Sequence, residues 1–308
     1  MTSPAVRHLA ALLGAAWPPV AAFLDADVAA CRLVSPRRPA GHRLGAFRLD
    51  LADGRRVKLR TLRRPEQAAT VADVLTEFVD PAFPPVLFRH EHVLLETWVA
   101  GTPLAADDER APGEAGDLLG RLHTWRDGRT HVHGAPREAT TSTAADRALL
   151  GQQLDELRDA DLLTPAAARE LAHRADRLDP GRTALGLIHG DLCGENMLRD
   201  TAGRLVVIDN ERLGPGSLAH DLERTRYRWP LSPAGRAAFA AAYAVHRDPT
   251  ADASQQPFWE LRTLVQSAHV RALRWSGDAR APLDALAALL DGVRRPGAAS
   301  PLHAADRS

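Results

Sequence analysis

The sequence holds little cysteine, few aromatics and almost no lysine. Its two cysteines, Cys31 and Cys193, stand far apart in 308 residues, and no C-x-x-C occurs. That excludes a disulfide framework, and Cys193 reads as a small semi-buried residue rather than a nucleophile. No apolar run approaches the length of a membrane span. Residues 9–17 are apolar, but Pro18 and Pro19 break the run and Asp25 and Asp27 follow, so it does not read as a secretory signal. The expected compartment is therefore the cytoplasm. Formal charge sums to zero and the sequence pI is about 7.3, which argues against a general nucleic-acid or membrane-surface binder. With 45% hydrophobic and 25% charged residues, the composition is that of a soluble globular chain. Its length allows two modest domains or one large one.

Lysine is the most informative scarcity. Of 39 basic residues 38 are arginine, and the one lysine is Lys58. A coding bias towards arginine explains the depletion but not the place where lysine survives. Residues 43–51 and 55–62 read as strands joined by the hairpin signal Asp53-Gly54, with Lys58 in the middle of the second. The alternative for Lys58 is a surface residue on an alternating strand. Around this pair, residues 5–16 and 20–30 read as helices on either side of Pro18-Pro19. Residues 32–34, 86–89 and 92–99 read as further strands. Pro65 opens a helix to about Phe78, with Val71, Leu75 and Phe78 on one face and Glu66, Asp73 and Glu77 on a polar stripe.

The rest of the chain is organised around residues 187–211, LIHGDLCGENMLRDTAGRLVVIDNE. Two apolar runs, 197–199 and 205–208, flank a loop of hairpin composition, 200–203. Such a hairpin sets Asn196 and Asp209 side by side at its open end. Upstream, His189, Gly190 and Asp191 form a glycine-assisted bend. Asp191, Asn196 and Asp209 then form a cluster in which an amide and one carboxylate can hold a hard cation through oxygen, and the second carboxylate is left for proton chemistry. Taken singly, these residues read as a helix cap, a turn residue and a strand-end residue. Their order and spacing together point to a site. Four residues separate Asp191 from Asn196, as in the kinase catalytic loop H-R-D-x-x-x-x-N.

At this stretch the chain resembles the aminoglycoside phosphotransferase and choline kinase-like family, through H-G-D, an asparagine five positions on and a later acid pair. The aromatic between those acids is replaced by Asn210. The resemblance implies a two-lobed, protein-kinase-like α+β fold, with a small N-terminal β-sheet lobe and a larger, mainly helical C-terminal lobe. It implies ATP and Mg2+ as cofactors, Asp191 as base, and Asn196 and Asp209 as magnesium ligands. Lys58 then holds the α/β-phosphates, while Glu96, Thr97 and Val99 line the adenine through backbone groups. The expected division is residues 1–98 for the nucleotide-binding lobe, 99–295 for the catalytic and acceptor lobe, and a disordered tail over 296–308. Asp221 is expected to brace the backbone of the catalytic loop, and His189 to support it.

Two parts of that scheme are thin. The phosphate-covering loop has only Gly41 and Gly45, and a plain turn explains them equally well. The acidic partner of Lys58 stays open among Glu66, Asp73 and Glu77, where a solvated stripe is the bland reading. A metallophosphatase would need an early D-x-H and a later Gly-Asn-His, and neither occurs. The pair His131 and His133 stands in a polar loop with no cysteine close by, so an ordinary exposed loop is favoured over a zinc site. From Arg236 onwards nine arginines face seven acids, which argues against a polycationic acceptor. The expected partner is a small-molecule acceptor such as an antibiotic or other natural product. The rivals are a Ser/Thr of a precursor peptide and a kinase-fold binding module without turnover. Nothing in the sequence sets an oligomeric state.

Overall fold

The structure is a computed structural model and describes residues 4–34, 45–125, 140–274 and 277–294. Gly41, the pair His131 and His133, and the residues 296–308 expected as a tail lie outside the described residues. The chain forms two compact units. One comprises residues 1–111 and 193–214, the other 112–192 and 215–308.

The first unit is built on a five-stranded antiparallel sheet in the order β1-β2-β3-β5-β4. The strands are β1 (Val28–Leu33), β2 (Ala46–Leu51), β3 (Arg56–Thr61), β4 (Val86–His90) and β5 (Val93–Thr97). Helices α1 (Pro4–Leu13) and α2 (Trp17–Leu24) supply Leu9, Leu13, Val20 and Leu24 to a core shared with Leu49, Val57, Leu59 and Leu95. Leu9, Leu49, Leu59 and Leu95 have no exposed surface. Each such side chain contributes about 1.5–3 kcal/mol by burial. Because side chains alternate along a strand, placing Val57 and Leu59 in this core turns Lys58 and Arg60 to the opposite face. Antiparallel register then sets Lys58 across from Glu96 and Leu59 across from Leu95.

One boundary differs from the sequence reading. The helix expected over 20–30 stops at Leu24, where Asp25 turns left-handed (φ 47°), and a strand starts at Val28. Pro18 and Pro19 sit in the first turn of α2 instead of ending a preceding helix, since that turn needs no backbone donor from them. Helix α3 (Pro65–Glu77) matches the expectation closely. Val71, Leu75 and Phe78 are buried, while Glu66, Asp73 and Glu77 are exposed. The expected hairpin is present as β9 (Met197–Asp200) and β10 (Leu205–Val207), with Gly203 at φ 76° in its turn. It joins β6 (Gly101–Pro103) in a second sheet ordered β10-β9-β6.

The second unit is mainly helical. It contains most of α4 (Ala111–Thr124), then α5 (Ala144–Asp159), α6 (Pro165–Leu178), α7 (Leu218–Arg228), α8 (Pro233–Ala244), α9 (Gln256–His269) and α10 (Arg280–Arg294). Three of these begin on hydroxyl caps: Thr164 accepts from Ala167, Ser217 from His220 and Ser232 from Gly235. A small sheet ordered β11-β8-β7 (Gly214–Ser217, Arg182–Ile188, Thr140–Ser142) accompanies them. The core joins Leu150, Leu154 and Leu157 of α5 to Leu261, Leu264 and Val265 of α9. Strand β8 ends at Ile188, immediately before His189-Gly190-Asp191.

Candidate active site

In the first unit, the face of β3 that carries Lys58 and Arg60 meets the open end of the hairpin. Lys58 Nζ donates to the Ile208 carbonyl and lies 3.2 Å from Glu96 Oε2. Glu96 has no exposed surface, and Lys58 is 8% exposed. A surface lysine is therefore excluded. Among the described residues the acidic partner of Lys58 is Glu96 on the neighbouring strand. The exposed acids of α3 that the sequence offered remain on a solvated face. Burial, then the Arg60 charge, push the Lys58 ammonium below the ordinary lysine value, while Glu96 and Asp209 act in the other direction.

Arg60 is in the same cluster. Its Nη2 donates to Ile208 O at 2.9 Å, its Nη1 pairs with Asp209 Oδ1, and its Nε lies 3.6 Å from Glu96 Oε2. Two cations thus grip the backbone one residue before Asp209. At the same end, Ile208 N donates to the carbonyl of Asn196 at 2.9 Å, which sets Asn196 beside the strand that delivers Asp209. An amide and a carboxylate are the oxygen donors that Mg2+ takes from a protein when phosphates supply the rest, so Asn196 and Asp209 fit that ion. Among the described residues no group of three or more His, Cys, Asp or Glu is arranged as a self-sufficient metal cage. Thr97 continues β5 after Glu96, its N–H donating to Pro85 O at 3.0 Å, and Val99 follows the strand end.

In the second unit, Asp191 sits on a bend whose backbone is held from α7. Gly190 has φ 76°, a conformation glycine adopts without strain. Asp221 accepts the Gly190 N–H on Oδ1 and the His189 N–H on Oδ2, both at 2.8 Å. His189 Nδ1 accepts the Asp191 N–H at 3.2 Å. Asp221 is fully buried. Burial alone would raise its pKa, yet hydrogen bonding and charge from His123, with help from His189, leave it below the ordinary carboxylate value. Arg224, one helical turn beyond Asp221, spans the bend. Its Nε donates to Gly190 O at 2.5 Å and its Nη2 to Asp191 Oδ1 at 2.9 Å. Arg228 Nε lies 3.5 Å from the same oxygen. The carboxylate of Asp191 is thus oriented by two guanidiniums.

A model of the phosphotransferase enzyme family matches residues 55–254, about two thirds of the chain. The chain belongs to that family. It is an enzyme, a kinase-type phosphotransferase with a two-lobed α+β fold. Among curated proteins no sequence match is found. Solved structures of this fold include a macrolide 2′-phosphotransferase of Brachybacterium faecium, 21% identical over 94% of this chain and 99% of that one, with a TM-score of 0.58. An aminoglycoside-3′-phosphotransferase of type VIII is also 21% identical, over 82% and 98% of the two chains, at 0.58. An ethanolamine kinase of Plasmodium vivax is 12% identical over 87% and 82%, at 0.60.

Several residues of this phosphotransferase's site were not assigned from sequence. His123 bridges Tyr243 OH (2.8 Å) and Asp221 Oδ2 (3.1 Å), and so backs the brace of the 189–191 bend from α4 and α8. Its partners lie 120 and 98 residues away, a pairing that sequence spacing does not reveal. Glu96 was seen as a backbone contributor, and its side-chain role follows from strand register. Arg60, Arg224 and Arg228 were hidden among 38 arginines, where residue type carries no signal.

Proposed function

We propose that this phosphotransferase moves the γ-phosphate of ATP, with Mg2+, to a hydroxyl of a small-molecule acceptor that is not strongly polycationic. The observation that carries the reading is the buried Lys58, ion-paired with Glu96 and set against the hairpin end that delivers Asp209. A buried ammonium on this strand is the group phosphoryl transfer needs for the α/β-phosphates. Asn196 and Asp209 would hold the magnesium, which neutralises charge on the phosphates when bound. The backbone of Glu96, Thr97 and Val99 would line the adenine.

Asp191 accepts or orients the proton of the acceptor hydroxyl, and Arg224 and Arg228 hold its carboxylate for that task. The protein does little covalent chemistry in such a transfer, so positioning and charge supply most of the acceleration. Two guanidiniums beside the base, and the arginine excess from Arg236 onwards, support an acceptor without multiple positive charges. The division into a nucleotide lobe ending near residue 98 and a cytoplasmic location belong to the same proposal.

The test is a phosphorylation screen with ATP or GTP and Mg2+ against neutral hydroxylated natural products, aminoglycosides and Ser/Thr peptides. Transfer to a neutral alcohol supports the reading. Preferred transfer to an aminoglycoside, to a peptide, or from GTP would replace the corresponding part.

A further inference from the structure

Two cations share the functional face of β3, and the second engages the residue read above as a metal ligand. Arg60 stands two residues after Lys58 on the same face, with its side chain 4% exposed. Its Nη1 contacts Asp209 Oδ1 and lies 3.8 Å from Glu211 Oε2, its Nη2 holds Ile208 O, and its Nε approaches Glu96. Every acid of the hairpin end, 209 and 211, thus lies within ion-pair reach of this one guanidinium.

A carboxylate oxygen in contact with a guanidinium is a poor ligand for a divalent ion. The two positive charges repel across a few ångströms, in a site partly screened from water. Arginine cannot relieve the conflict by losing its proton. It can only move.

We propose that Arg60 is a built-in rival of the divalent ion for Asp209. When it gives up that carboxylate, it becomes a second strand-borne cation, beside Lys58, for the phosphates of the nucleotide. This rests on Asp209 being a metal ligand. Linkage follows directly: phosphates that draw Arg60 away expose Asp209 to the ion, and an ion that takes Asp209 frees Arg60 for the phosphates. Metal alone then binds weakly, and metal with nucleotide binds well. A carboxylate without such a neighbour would bind the free ion whether or not nucleotide followed.

The experiment uses the full chain and two ligands. Mn2+ alone is titrated by electron paramagnetic resonance, and ATP at fixed Mg2+ by calorimetry. Arg60→Gln should bind Mn2+ about 10–100-fold more tightly than the parent, because the competing charge is gone. The same variant should bind ATP with Mg2+ at least about 10-fold more weakly, because one phosphate cation is lost. These shifts have opposite signs, which a merely structural role would not produce. Mn2+ affinity that is unchanged or weaker in the folded variant overturns the inference, as does unchanged ATP affinity. Circular dichroism and thermal melting establish folding. If Arg60→Gln does not fold, Arg60→Met, which keeps an unbranched stem and removes the charge, must show the same two opposite shifts. Adding Asp209→Ala to the variant separates the two claims. If the gain in Mn2+ affinity survives that change, the assignment of Asp209 falls. If Arg60→Gln gives no gain while Asp209→Ala in the parent removes metal-dependent nucleotide binding, the Arg60 inference falls alone.

Discussion

Lys58 and Glu96 face each other across the β3–β5 ladder, their charged groups 3.2 Å apart and both buried. The pair belongs to the sheet itself, so two adjacent strands hold the lysine and no helix has to move to complete it. Removing one member of a buried pair leaves the other charge uncompensated. Glu96→Ala should therefore lower unfolding stability by roughly 3–5 kcal/mol, as read by denaturant titration. A loss below about 1 kcal/mol, the range of exposed pairs, would mean the charges are solvated.

Lys58→Arg preserves charge yet should be damaging twice over. The position is enclosed by Glu96, Ile208 and Arg60, so a larger forked head overpacks it at a cost of about 1–3 kcal/mol. The same displacement should reduce ATP affinity, measured by calorimetry with Mg2+. Parent-like stability and parent-like affinity together would remove Lys58 from the phosphate role.

Local chemistry is what the sequence exposed. The hairpin over 197–207 and the glycine bend at 190 are each set by residues within a few positions. Asp221 as a brace came from the family resemblance, and its bonds to the His189 and Gly190 N–H groups fit that expectation. The residues that escaped are those whose role depends on long-range pairing. Glu96 reaches Lys58 through a strand register that joins residues 38 positions apart. His123 meets Asp221 and Tyr243 across the helical unit. The overlong helix read over 20–30 failed because alanine-rich VAA in β1 has no strong strand preference, and sheet pairing with β2 decided it.

Glu223 offers a pH-dependent test that is separate from the chemistry. It is 5% exposed on α7, and burial pushes its pKa up to about 7, with Arg226 opposing and nearby Glu260 adding to the shift. An acid whose folded pKa lies above its unfolded value destabilises the fold once ionised. Its contribution is neutral below about pH 4 and increasingly unfavourable as pH rises from about 4.5 to 7. Glu223→Gln should thus raise stability at pH 8, by roughly 3 kcal/mol at most, and change little at pH 4. Thermal melts across that range check it. A gain that is equal at both ends, or a loss at pH 8, would contradict a strongly raised pKa.

The central claim is that Asp191 serves the acceptor hydroxyl in phosphoryl transfer. Asp191→Asn is the most direct probe, because an amide oxygen can still accept from Arg224 at Oδ1 while the proton-accepting charge is gone. The measurement is steady-state phosphorylation of an acceptor identified by the screen, paired with ATP affinity on the same protein. The account predicts that kcat falls by ~10²–10⁴ with ATP affinity nearly intact. Turnover close to that of the parent would contradict it.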